Sequence, residues 1–115
     1  MSVRIEPNDL IAVTERRAFG YVVTSSENAE PHLRAVVFTA VGAQLTARVG
    51  KQTAANVTRS GSVTLLWPPM EVVHRLDDYD DYSVIADCAA VCVDEGDSFT
   101  LSATPLAAVW HRPAR

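Results

Sequence analysis

The sequence predicts a mainly β fold: a small antiparallel barrel of six strands with a short inserted helix and a short N-terminal helix. Three observations carry that expectation. Runs rich in branched and aromatic residues recur at 19–24, 33–40, 44–49, 62–67, 82–93 and 98–103. Turn residues separate them at regular intervals, and only two stretches read as helical. Closing such strands into a barrel would also remove exposed sheet edges.

Each element follows from its residues. Pro7-Asn8-Asp9, then Leu10, Ile11, Val13 and Thr14, predict an amphipathic helix. It is expected to be capped by Asn8 or Asp9, to end near Arg17 and to cover one end of the sheet. The first strand, 19–24, reads F-G-Y-V-V-T, and residues 25–31 form a turn. The second strand, 33–40, alternates Arg34, Val36 and Phe38 on one face with Leu33, Ala35, Val37 and Thr39 on the other. Gly42-Ala43 reverses the chain into the third strand, 44–49. Residues 51–59 lack Gly and Pro, which predicts a helix of about two to three turns closed by Ser60-Gly61.

The fourth strand, 62–67, stops at Pro68-Pro69, because proline cannot donate to a ladder. Asp77-Asp78-Tyr79-Asp80-Asp81 reads as a solvated charged loop. It lacks the alternating ligands and closing Glu of an EF-hand loop. A long fifth strand, 82–93, turns at 94–97 into the sixth, 98–103. Pro105 breaks that strand, and 106–110 resumes as an extended segment.

At 115 residues the chain is expected to form one domain with a modest core. It is 48% hydrophobic and 21% charged, as expected of a globular protein. No apolar run approaches the roughly 18 residues of a membrane span, and the N-terminus holds no signal-peptide segment. A cytoplasmic location without a membrane partner is the expectation. A net charge of −4 and scattered arginines argue against a nucleic-acid partner. Cys88 and Cys92 on one strand would have Cα atoms roughly 13 Å apart, too far for a disulfide, and both read as small buried hydrophobes. No histidine stands at ligand spacing to them, so no metal site is expected.

Chemistry concentrates between residues 44 and 67. A strand ends at Arg48, and a helix opens at Gly50-Lys51-Gln52-Thr53. Free backbone N–H groups and the positive end of the helix dipole meet basic and hydroxyl side chains there, a combination suited to phosphate. The competing reading is a solvated helix start with Thr53 as a local cap.

The order of these pieces resembles the FMN-binding split barrels, the pyridoxamine 5′-phosphate oxidase-like group, over residues 19–112. The pieces are Gly20-Tyr21-Val22-Val23-Thr24, Pro31-His32-Leu33-Arg34-Ala35-Val36-Val37-Phe38, Arg48-Val49-Gly50-Lys51-Gln52-Thr53-Ala54-Ala55-Asn56-Val57 and Ser62-Val63-Thr64-Leu65-Leu66-Trp67. The likeness is strongest to a short branch with G-K/R-x-T-x-x-N at the helix start and a chain end like Val109-Trp110-His111-Arg112-Pro113. It implies a six-stranded Greek-key split barrel, a homodimer, and a flavin in the groove between subunits.

On the matching positions it implies that Arg34 reaches the cofactor phosphate or ring edge. Backbone at Ala35 and Val36 lines the ring, and Arg48, Lys51 and Thr53 hold the phosphate end with Arg34; Gln52 is a further cofactor-binding candidate. Trp110 and Arg112 are further cofactor-binding candidates. Anchored on Asn56, the family pattern has a hydroxyl residue at position 51 and a lysine at 53. Here the two types are exchanged, with one charge and one hydroxyl retained. FMN is the cofactor implied, with deazaflavin, haem or none as alternatives. The activity implied is a flavin-dependent oxidoreductase on a small molecule; a non-catalytic binder and a cofactor-free structural barrel remain open.

Several residues have competing roles. Arg34, mid-strand beside Val36 and Phe38, needs either a ligand or a partner such as Asp87. Trp67 and Trp110 serve either as core or interface anchors or as flavin stackers. His32, just ahead of the second strand, reads as a surface residue. His111 and Arg112 either reach a partner's groove or form a loose tail. No G-x-S-x-G, H-E-x-x-H or supported Cys–His pair is present, and a flavin enzyme needs none of them.

Overall fold

The computed structural model describes residues 2–71 and 78–113. Asp77, the first residue of the expected acidic loop, lies outside them. Eight strands run β1 (Ser2–Ile5), β2 (Gly20–Ser25), β3 (Pro31–Val36), β4 (Thr39–Val41), β5 (Gln44–Val49), β6 (Ser62–Trp67), β7 (Ser83–Asp94) and β8 (Phe99–His111). Two helices join them, α1 (Leu10–Thr14), preceded by a 3-10 turn at Pro7–Asp9, and α2 (Lys51–Ser60). The strands form one antiparallel sheet in the order β3-β2-β6-β7-β8-β5-β4, with β1 added along β8. β3 comes close to β5, yet no ladder joins them, and the barrel is split there.

Eight strands replace the expected six for local reasons. The run 33–40 divides at Val37-Phe38, where the Phe38 ring turns inward onto Trp67 at 5.1 Å. β1 carries only Val3 and Ile5 as apolar residues, too faint a pattern to read as a strand. The sixth strand does not stop at Pro105. Cys88 pairs with Pro105 and Asp87 with Ala107, so Leu106 is an extra residue on β8. A bulge is a position at which a strand tolerates proline, because the ladder is already interrupted.

Alternation along β2, β5, β6 and β7 sends Val22, Leu45, Leu65, Val63, Val84, Ala86 and Cys88 into one core. Trp67 is buried in it, as a core anchor. Gly20 is required by that packing: a Cβ there would stand 2.9 Å from the Leu66 carbonyl and 2.9 Å from the Phe38 ring.

Helix α1 is shorter than expected and has no side-chain cap from Asn8 or Asp9. It ends at Thr14, whose hydroxyl donates back to the carbonyls of Leu10 (2.9 Å) and Ile11 (3.3 Å). Helix α2 closes as expected on Gly61, at φ 70°, whose N–H reaches the Val57 carbonyl at 2.7 Å.

The acidic loop is not wholly solvated. Asp80 is only 2% exposed and accepts from Arg16 at 2.9 Å. Beside it, the buried Arg17 guanidinium donates to the carbonyls of Pro68, Tyr82 and Tyr79 at 2.9, 2.7 and 3.2 Å. Two adjacent arginines thus hold this segment against the barrel. No helix of the described residues is long and apolar enough to cross a membrane.

Candidate functional site

The candidate site is built where β5 hands over to α2. Gly50 precedes α2 in an extended conformation (φ −82°, ψ 176°), and no side chain caps the helix. The first internal bond runs from the Ala54 N–H to the Gly50 carbonyl at 3.0 Å. The N–H groups of Lys51, Gln52 and Thr53 therefore have no intrahelical acceptor, and the helix dipole adds positive potential.

The burial pattern of α2 separates the charge from the hydroxyl. Lys51 and Gln52 are exposed, whereas Thr53 is 1% exposed and faces the core with Ala54, Asn56 and Val57. The charge sits where the chain meets solvent, and the hydroxyl sits where a lysine would be buried. Thr53 is therefore not a local cap; what it presents at the helix start is its backbone N–H.

A line of polar side chains runs from this helix start to β2, the neighbour of β3. The Gln52 side-chain amide donates to Asn56 Oδ1 at 2.9 Å, and Asn56 Nδ2 donates to Thr24 Oγ1 at 3.0 Å. Thr24 lies opposite His32 in the β2–β3 ladder, and Val22 lies opposite Arg34. Cross-strand pairs share a face, so His32 and Arg34 stand on the inward side, about 7 Å apart along β3.

Arg34 is exposed, and its guanidinium donates to the carbonyl of its own neighbour, Leu33, at 2.7 Å. It does not pair with Asp87. That carboxylate points to the outward face, accepts from Thr64 at 3.0 Å and is separated from Arg34 by β2 and β6. Ala35 points outward from the same strand, and Val36 is half-buried on the inward side.

His32 is half-buried rather than freely exposed. Both ring nitrogens are buried and neither has a hydrogen-bond partner. Burial holds its pKa below the usual 6.5, and the nearby Arg34 charge lowers it further. Sequence reasoning placed His32 ahead of the strand; the available signal was the alternation itself, extended two residues back from Arg34.

The remaining candidates are distributed over the barrel. Arg48 is exposed on the outward face of β5, opposite Thr100. Trp110 lies ten residues further along β8, roughly 30 Å away. It stacks on Tyr79 at 4.8 Å, with the Arg17 guanidinium 5.6 Å from its ring. The Arg112 guanidinium lies 5.0 Å from the Tyr82 ring. Lys51, Gln52 and Thr53 thus stand together at the start of α2, Arg34 stands on the inward face of β3, and Trp110 and Arg112 lie at the end of β8 remote from Arg48.

No family model matches the chain, and no curated protein matches it. Solved structures do match in fold. An F420 reductase aligns with a TM-score of 0.66, over 85% of this chain and 94% of its own, at 14% identity. A candidate pyridoxamine 5′-phosphate oxidase from Listeria innocua aligns with a TM-score of 0.65, over 90% and 96%, at 13% identity. An FAD-binding protein from Mycobacterium smegmatis aligns with a TM-score of 0.63, over 97% and 100%, at 14% identity. Identities this low speak for architecture alone: the chain has the split-barrel fold of the pyridoxamine 5′-phosphate oxidase-like proteins.

Proposed function

We propose that this chain binds a phosphate-bearing flavin, FMN first, and acts as a flavin-dependent oxidoreductase on a small molecule. The observation that carries this reading is the site at the start of α2. Exposed Lys51 and three free backbone N–H groups stand there, and β3 adds an Arg34 guanidinium spent only on its neighbour's carbonyl and an unpartnered His32. Such a donor set suits an anion with several acceptor oxygens. The shared fold with an F420 reductase and an FAD-binding protein supports a flavin-type occupant.

In this reading Arg34 and Lys51 hold the phosphate by charge, Thr53 contributes its backbone N–H, and Gln52 is oriented by Asn56. Backbone at Ala35 and Val36 lines the ring. The flavin, when bound, supplies the hydride and electron transfer. The protein supplies position, charge and exclusion of water.

A homodimer belongs to the same proposal. The outward sheet face carries Leu33, Val91 and Val93, each half or more exposed. Apolar side chains on an open sheet face mark an association surface. Packing a second copy there is the route by which Arg48, Trp110 and Arg112 would join one groove. Light scattering is expected to give a dimer, and a stable monomer would leave that groove incomplete.

The reading is tested first by the absorbance spectrum of purified protein and by uptake of added FMN. A colourless protein that takes up no FMN would overturn it. Stopped-flow mixing of the FMN-loaded protein with NADPH then tests the enzymatic part; an unreduced ring after minutes would favour a carrier over a nicotinamide-driven oxidoreductase.

A further inference from the structure

We infer that His32 is a pH-dependent donor to the anion held at this site, so that binding a phosphate group is accompanied by proton uptake on its imidazole. The inference rests on the phosphate-site reading above and adds to it a residue and a linkage. Its starting point is a cost. A buried polar atom without a partner is unfavourable, and His32 has two such nitrogens. At least one is an N–H donor in either tautomer, and both are donors when the ring is charged.

Geometry relates that ring to Arg34 and, through Thr24, to α2. His32 lies opposite Thr24, which is bonded to Asn56 and through it to Gln52 in the first turn of α2. It shares the inward face of β3 with Arg34. The charge that acts on it is that of Arg34, on its own strand; α2 carries Lys51 and Arg59, and Arg48 lies on the outward face of β5. β2 carries no charged residue, and Glu30, exposed, lies just ahead of β3. Without a ligand these surroundings and burial keep the ring neutral, consistent with its lowered pKa. A phosphate reverses the balance, because it neutralises the cations and accepts from the imidazolium. The imidazole pKa then rises on binding, and affinity grows as pH falls through the bound-state value.

The test compares FMN binding to wild type, His32→Gln and Arg34→Ala at about pH 8 and pH 5.5, by quenching of flavin fluorescence. The comparison with His32→Gln removes the titration of the FMN phosphate itself, whose second pKa is about 6. The expected ratio of His32→Gln to wild-type Kd is under about 2 at the higher pH and about 10 at the lower, one charged contact's worth. A ratio that stays constant with pH overturns the inference. If Arg34→Ala still weakens binding in that case, the site stands and only the role of His32 falls. If Arg34→Ala binds FMN like wild type, or if no variant binds it, the phosphate site falls and this inference with it. NMR of the His32 ring in the unsubstituted protein supplies a second readout. Its titration midpoint is expected to move to higher pH with FMN but not with riboflavin, which lacks the phosphate. An unmoved midpoint, or an equal shift with both, contradicts the proposal.

Discussion

The side chain of Asn56 on α2 donates to the hydroxyl of Thr24 on β2 at 3.0 Å, with Asn56 fully buried and Thr24 nearly so. This bond ties the helix to β2, the strand paired with β3. Asn56 also accepts from Gln52, so both ends of its amide are engaged. Replacing Asn56 with Ala is expected to cost about 1–3 kcal/mol, because Thr24 and Gln52 lose a buried partner. Chemical denaturation should show the lower midpoint with an unchanged slope. A midpoint equal to wild type would mean that the pair contributes nothing to docking α2.

His32 predicts how stability varies with pH in the unliganded protein. Burial and Arg34 lower its folded-state pKa, so the unfolded chain, with a value near 6.5, binds the proton more readily. The contribution of a neutral His32 is fully present above that unfolded value. It is lost as pH falls through it towards the folded-state pKa. Denaturant midpoints should therefore fall between about pH 7.5 and pH 5.5, and fall less in His32→Gln. Parallel declines in the two proteins would remove His32 as a cause.

The thiols offer a test of the packing of β7. Burial, with a smaller contribution from Asp87, pushes the Cys88 thiol up to about 12. Burial raises the half-buried Cys92 as well. At pH 8 only about one Cys88 in ten thousand is thiolate, and the thiolate is the reactive form. A thiol reagent such as DTNB should leave Cys88 unlabelled in the folded protein and modify both cysteines after unfolding. Prompt labelling of Cys88 in the native state would contradict its place in the core.

Much of the barrel is legible in the sequence because strand and turn chemistry are local. The runs at 44–49 and 62–67 and the Gly61 helix end match the structure. What is not legible depends on contacts distant in sequence. β1 exists because β8 offers it an edge. β8 continues through Pro105 because a bulge absorbs the proline opposite Asp87 and Cys88. Asp80 is buried because Arg16, 64 residues away, meets it. The same division holds for the site. The basic and hydroxyl residues at the start of α2 are plain in the sequence. That Thr53 turns inward, that His32 belongs to β3, and that Trp110 lies at the far end follow from the register and from the face each helix position takes.

The reading depends most on a phosphate being held between β3 and α2. The most direct measurement is the affinity of FMN against riboflavin for wild type and for Lys51→Ala. Wild type should bind FMN far more tightly than riboflavin. Lys51→Ala should bind FMN roughly tenfold more weakly, about 1.5 kcal/mol for one charged contact, with riboflavin binding unchanged. Equal affinities of wild type for the two ligands, or FMN binding indifferent to the loss of Lys51, would place the phosphate elsewhere and contradict the account.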